Sequence, residues 1–338
     1  MDNIYKSLMD GLKIREKVVM VTCLNSEIQK KLFVQADLFA DQPGIVSEAY
    51  RKGEPVVNRE KGKLIVAEPF GKTERLIILG GGHISLALAD FAAKVGFRVI
   101  VVDDRPAFAS GDRFPQASEV ICDNFEYAIP KLEISERDYV AVVTRGHKCD
   151  RECLQKLSAE KNAKYIGLIG SRRRVEDLKK LLKQSGVPER WLENIYTPIG
   201  LNIGAVTPEE IAISIIAEII HVKRTKAECE EKRMNSDIEM EVIEKLAQMP
   251  TEKKAIVTVI ETNGSAPRKS GAKMIVYEDG SIFGSIGGGC LEKEMIDAAL
   301  MVMKQGGYRV KEADLTNEVA ASEGMVCGGT MTILIEAG

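Results

Sequence analysis

Two runs of three glycines punctuate this 338-residue chain: Gly80-Gly81-Gly82, followed by His83, and Gly287-Gly288-Gly289, followed by Cys290. Successive glycines are entropically costly, so a bare connection seldom uses them, whereas a ligand pressed against the backbone needs them. The first run stands between the apolar stretch Leu76-Ile77-Ile78-Leu79 and a helix-forming stretch. In that setting backbone amides and a helix N-terminus attract a phosphate. Gly80 would permit the turn and Gly82 the close approach, while Ser85 replaces the third glycine of the dinucleotide fingerprint. Asp103 follows about twenty residues on, where a carboxylate suits ribose hydroxyls. Two later loops, Arg145-Gly146-His147 and Ser171-Arg172-Arg173-Arg174, carry donors suited to an anion.

The second run belongs to a group of small, polar and sulfur-bearing residues. Ser265 and Arg268 lie in Gly264-Ser265-Ala266-Pro267-Arg268, Glu292 follows Cys290, and Cys327 sits in Met325-Val326-Cys327-Gly328-Gly329. Flexible neighbours suit an accessible thiol, and a thiolate is a soft metal donor or a carrier of sulfur. Cys149 and Cys153, four apart on a helix pattern, read as residues facing one side. No convincing proton-transfer pair accompanies either glycine loop, so no catalytic residue is assigned.

The elements that must position these groups alternate. From residue 73 to 224, apolar runs of strand length (Leu76 to Leu79, Val99 to Asp103, Tyr139 to Thr144, Tyr165 to Ile169) are separated by amphipathic stretches of helix length. This is the pattern of βαβ units around a parallel sheet, and parallel strands bring their carboxyl-end loops to one edge. Thr207-Pro208-Glu209-Glu210 opens the last helix with a capping box. Residues 225–250 turn charged and helix-forming, with a second capping box expected at Ser236 to Glu239. Residues 251–338 mix short strand-like runs with a helix from Leu291 to Lys304. The sequence therefore predicts an α/β protein: a Rossmann-like doubly wound parallel sheet (73–224), a helical connector (225–250), a separate C-terminal α+β domain (251–338) and a small degenerate N-terminal unit (1–72). The end of that unit, Lys63-Leu64-Ile65-Val66-Ala67-Glu68, echoes Met331 to Glu336 as a strand closed by glutamate, which leaves open a degenerate duplication.

Composition narrows the function classes. Hydrophobic residues at 45% and charged residues at 29% are those of a globular protein, and a net charge of -3 offers no bulk attraction for nucleic acid or an anionic membrane. The N-terminal residues lack a signal-peptide pattern and no apolar run reaches membrane-span length. Seven scattered cysteines without CxxC spacing argue for reduced thiols rather than a disulfide framework or a structural zinc site, so a cytoplasmic location is expected.

Taken together, GGGHIS, DDRPAFA, TRGHKCD, IGLIGSRRR and PIGLNIGAVTPEEIA, with the Gly264 to Arg268 segment, the Gly-Gly-Gly-Cys-Leu-Glu run and Met325 to Gly329, resemble the xanthine dehydrogenase accessory-factor family, XdhC/CoxI. The resemblance implies an accessory chaperone rather than an enzyme. Such a protein binds molybdenum cofactor, protects it while a cysteine desulfurase installs the terminal sulfur, and delivers it to an apo molybdenum hydroxylase. Both glycine cradles would serve the phosphorylated pterin, with arginines at the phosphate and Cys327 near the metal. The glycine- and cysteine-bearing domain generally comes first in that family but comes second here, and a homodimer is expected. The residues alone also admit an NAD(P)-dependent oxidoreductase using Gly80, Gly82 and Asp103, or a nucleotide-binding scaffold without turnover.

Overall fold

The computed structural model describes residues 3–15, 17–34, 44–60, 62–160, 163–225, 234, 236–249, 251–314 and 328–338. Cys327 therefore lies outside the described residues. The chain divides into two compact units: one split in sequence, Met1–Lys72 with Ala227–Gly338, and a central one, Thr73–Lys226.

The N-terminal part of the split unit runs α1 (Ile4–Ile14), β1 (Lys17–Leu24), β2 (Ile28–Phe33), α2 (Ile45–Lys52), β3 (Val56–Glu60) and β4 (Lys63–Gly71). Its strands form an antiparallel sheet in the order β2-β1-β4-β3. Asn3 caps α1 by accepting from the Tyr5 amide at 3.0 Å, and Gly53, in the left-handed conformation, closes α2.

The central unit runs β5 (Arg75–Leu79), α3 (His83–Lys94), β6 (Arg98–Asp103), β7 (Glu119–Cys122), α4 (Phe125–Lys131), β8 (Tyr139–Val142), α5 (His147–Leu157), β9 (Tyr165–Leu168), α6 (Arg172–Gln184), α7 (Glu189–Glu193) and α8 (Pro208–Thr225). Its five strands are all parallel in the order β7-β6-β5-β8-β9, the doubly wound arrangement expected from the sequence. The chain reverses direction across the sheet between β5 and β8, so the loops after these two strands flank the switch point where such folds bind ligands. Ile77 and Leu79 pack into one core beside α4, α5 and α6, while Leu76 and Ile78 pack into the other beside α3 and α8. Burial on both faces is why β5 reads as an unbroken apolar run rather than an alternating one. The capping box of α8 forms as expected: Glu210 accepts from the Thr207 amide at 3.1 Å and its own amide donates to Thr207 Oγ1 at 3.3 Å.

The C-terminal part of the split unit runs α9 (Met240–Gln248), β10 (Lys254–Asn263), β11 (Lys273–Tyr277), β12 (Ile282–Gly284), α10 (Gly289–Gln305), β13 (Tyr308–Asp314) and β14 (Thr330–Ala337), with an antiparallel sheet in the order β12-β11-β10-β14-β13. The capping box expected at Ser236 does not form. The Ser236 amide donates to Gly53 O, Arg268 grips Asp237, and α9 starts only at Met240 because residues 236–239 are held by these longer-range partners.

The two antiparallel sheets of this unit meet face to face. On β10, Ile256 and Ile260 face the N-terminal part while Ala255, Val257 and Val259 pack under α10. On β1, Val18, Met20 and Leu24 face the C-terminal part while Val19 and Val21 pack under α2. Leu8 and Leu12 of α1 meet Ile243 and Leu246 of α9, each side chain contributing about 1.5–3 kcal/mol of burial.

Candidate functional site

The central glycine loop separates into positions that the fold requires and one that it does not. Gly80 has φ +114°, and a Cβ there would lie 2.3 Å from the Val143 carbonyl oxygen, because the loops after β5 and β8 touch. A Cβ at Gly81 would lie 2.1 Å from the Phe108 carbonyl oxygen. These two glycines are explained by close approach of the protein's own backbone. Gly82 differs: its φ of -70° suits any residue, and a Cβ there would meet nothing within 4 Å. It is the N-cap of α3, no side chain caps the helix, and the first turn carries no acid. The positive end of the helix dipole and its first amides are thus available to an anion. His83 is exposed at the first position of the helix.

Asp103 stands where the sequence places it, at the end of β6, but its carboxylate is already filled. Oδ1 accepts from the Arg105 amide at 3.0 Å and Arg105 Nε at 2.8 Å; Oδ2 accepts from the Gly81 amide at 2.7 Å and Arg105 Nη2 at 2.9 Å. Four donors meet a group with about four lone-pair sites, which leaves no acceptor for a ribose. Burial alone would raise this carboxyl, but the hydrogen bonds from Arg105 and from the two amides outweigh it and hold the group below its ordinary value. Arg113 completes the clamp by donating from Nε to the Gly81 carbonyl at 3.2 Å. The Arg105 guanidinium lies 3.7 Å from the centre of the Phe108 ring. The sequence reading missed this clamp, although Asp-Arg two residues apart is a signal for it.

On the other side of the switch point, Gly146 caps α5 without a side-chain partner. Exposed His147 accepts at Nδ1 from Arg174 Nε at 3.2 Å, and Arg174 Nη2 reaches Asp150 at 2.7 Å. Thr144 Oγ1 donates to the same carboxylate at 2.5 Å. Burial pushes the Asp150 carboxyl above its ordinary value, against the pull of Thr144 and Arg174. Arg174, rather than Arg172, is therefore the arginine of the first turn of α6 tied to this network; Arg172 is exposed and Ser171 caps the helix. Arg145 forms a forked pair with Asp104 at 2.5 and 2.8 Å. Cys149 and Cys153 both face the core, and burial raises both thiols above their ordinary values.

The second glycine run is satisfied differently. Glu292 accepts from Ser285 Oγ at 2.6 Å and the Ile286 amide at 3.0 Å. Burial would raise this carboxyl, but Ser285 and the amides of Gly288, Ile286 and Gly287 hold it below its ordinary value. The amides that could cradle an outside anion thus already hold the protein's own carboxylate. Gly287, with φ +134°, lies against Pro267, where a Cβ would come within 2.6 Å of Cγ, whereas Gly288 and Gly289 have open space beside them. Cys290 is exposed in the first turn of α10. Gly329 packs against Asn263 and Ser265, which brings the segment leading into β14 to the exposed Ser265 loop. Arg268 is held by Asp237 and Glu239 at 2.7 Å each, so its guanidinium is spent inside the unit. Among the described residues, no group of three or more His, Cys, Asp or Glu side chains is arranged to hold a metal ion, and no helix is long and apolar enough to cross a membrane.

The sequence matches the XdhC Rossmann domain over residues 76–219 and the XdhC and CoxI family over residues 247–314. It is 38% identical over 153 residues to a probable xanthine dehydrogenase subunit of Bacillus subtilis strain 168, covering 45% of this chain and 44% of that protein. It is 34% identical over 87 residues to the molybdenum cofactor insertion chaperone PaoD of Escherichia coli strain K12, covering 24% of this chain and 25% of PaoD. A crystal structure of a xanthine dehydrogenase from Bacillus halodurans is similar at 30% identity and a TM-score of 0.50, over 65% of this chain and 63% of that one. The chain spans less than half the length of the two curated relatives. The two domain matches together take in more than half of the chain, and on that basis it belongs to the XdhC and CoxI family.

Proposed function

We propose that this protein is a molybdenum cofactor-binding chaperone that serves a xanthine-dehydrogenase-type molybdenum hydroxylase, receiving the terminal sulfur from a cysteine desulfurase partner. The observation that carries this reading is Gly82: neither backbone conformation nor packing requires glycine there, and the start of α3 beside it is uncapped. In this reading a phosphate of the pterin would take that position, with the amides at the start of α3 as its donors and exposed His83 and His147 on the two segments that flank the switch point. When bound, the cofactor supplies the molybdenum centre on which the client's redox chemistry depends. This chain's residues bind and orient it: the Asp103, Arg105 and Arg113 clamp holds the glycine loop rigid, and Cys327 is the soft donor for the metal or its labile sulfur. The oxidoreductase reading loses support, since its ribose acceptor, Asp103, is saturated by Gly81 and Arg105.

The test is cofactor content after anaerobic purification from a host that makes molybdenum cofactor. Wild-type protein is expected to retain pterin and molybdenum, and Gly82→Val to retain at least roughly tenfold less at unchanged thermal stability, the loss of a few charge-assisted contacts. Cys327→Ser should keep the pterin but lose the metal or the capacity to activate an apo hydroxylase, with Cys290→Ser as the comparison. Equal cofactor content in wild type and Gly82→Val sinks the cradle assignment. Reduction of NAD(P) by the purified protein with a purine or aldehyde substrate would put the oxidoreductase reading first.

A further inference from the structure

The split unit repeats itself. Its N-terminal part has the element order α1-β1-β2-α2-β3-β4, and its C-terminal part has α9-β10-β11-α10-β13-β14 with the short β12 added. The sheet orders β2-β1-β4-β3 and β11-β10-β14-β13 correspond strand for strand. The registers agree as well. Thr22 is opposite Lys30 and Val66, and Thr258 is opposite Lys273 and Leu334. Met20 is opposite Glu68, Ile256 is opposite Glu336, and the edge strands match at Val57 with Val66 and Val310 with Leu334. A one-residue slip in any pair would send the matched side chains to opposite faces.

The contacts between the two parts are reciprocal. Lys273 of β11 pairs with Glu68 of β4 at 2.6 Å, and Lys30, at the corresponding position of β2, pairs with Glu336, at the corresponding position of β14. Corresponding Met20 and Ile256 share one core cluster, with α1 and α9; corresponding Val66 and Leu334 share another. When residue i of one copy meets j of the other and j meets i, the interface is isologous, the signature of a two-fold axis.

We propose that the elements α1 to β4 are a second copy of the fold formed by α9 to β14, standing in cis where a two-fold partner would stand, so that the C-terminal sheet face bearing Thr258 and Glu336 is closed to another molecule. The copy lacks the counterparts of the Gly264 to Arg268 segment and of Cys290. Where the C-terminal part places Gly264 to Arg268 between two strands, the N-terminal part has only the turn Asn25-Ser26-Glu27. Where α10 presents exposed Cys290 two residues after its N-cap glycine, α2 has buried Val46 two residues after Gly44. One chain therefore holds a complete pseudo-dimer with a single glycine- and cysteine-bearing site.

The pair Arg59 and Glu261 bridges the two parts at the surface, with side chains 51% and 33% exposed, and gives the test. The full-length Arg59→Cys, Glu261→Cys variant is treated with a short bis-maleimide at low protein concentration, separated under denaturing conditions and mapped by peptide mass spectrometry. A 59–261 link in chains of single mass is expected. The same link confined to species of doubled mass, or no such link at all, overturns the pairing in cis. A 261–261 link between chains of the single Glu261→Cys variant overturns the closure of the face.

Discussion

Lys273→Met is expected to destabilise the split unit by about 3–5 kcal/mol, because it strands the Glu68 carboxylate in the interior. The Lys273 side chain is 2% exposed and that of Glu68 4%; besides the 2.6 Å ion pair, the ammonium donates to Thr258 Oγ1 at 3.0 Å. An ion buried so completely regains little solvation when its partner is removed. The double variant Lys273→Met, Glu68→Leu removes both charges and should recover most of the loss, since buried pairs often break even against well-packed apolar residues. Thermal unfolding followed by circular dichroism reads the cycle, with the single variant falling by roughly 10 °C for a unit of this size. Lys30→Met should be costly in the same way, because it strands Glu336, whose side chain is 5% exposed, with the Tyr5 hydroxyl 3.5 Å away as a weak remaining donor. A single variant as stable as wild type, or a double variant worse than the sum of its singles, would show that the pair does not join the two sheets as described.

Gly80→Ala should cost about 3 kcal/mol or more, combining a positive-φ penalty with a backbone clash. The methyl group would enter within 2.3 Å of the Val143 carbonyl oxygen at the crossing of the loops after β5 and β8, so adjacent strands of the sheet centre would have to separate. Gly82→Ala, two residues away, has neither problem and should stay within about 0.5 kcal/mol of wild type. The contrast separates a glycine kept by the fold from one kept by a ligand. Urea titration of the two variants decides it: equal stability for Gly80→Ala and wild type contradicts the loop geometry, and strong destabilisation by Gly82→Ala removes the argument for an open cradle.

Much of the central unit was legible because its signals are local. Strands buried on both faces read as the apolar runs at Leu76, Val99, Tyr139 and Tyr165, and the box at Thr207 and Glu210 marks its helix within four residues. β7 escaped because its four residues lie at the sheet edge and are only partly buried, leaving neither an apolar run nor an alternation. β13 escaped for the same reason, as an edge strand with no residue fully buried. At the site, the glycine loop could be recognised by spacing, but its use could not. That Asp103 is consumed by Arg105 and Gly81, and Glu292 by Ser285 and the adjoining amides, depends on side-chain directions that residue types do not specify.

By itself the sequence determined the buried strands of the parallel sheet, the helix at Thr207 and the glycine loops, because hydrophobic period, capping residues and turn chemistry act over a few residues. Only the tertiary structure decided that residues 1–72 join residues 227–338 in one compact unit although the central unit separates them in sequence. The pairs that make that union, Arg59 with Glu261, Glu68 with Lys273 and Lys30 with Glu336, lie 202, 205 and 306 residues apart. No local preference can encode them; they form because two faces of matching shape, apolar pattern and opposite charge bury each other once both sheets exist.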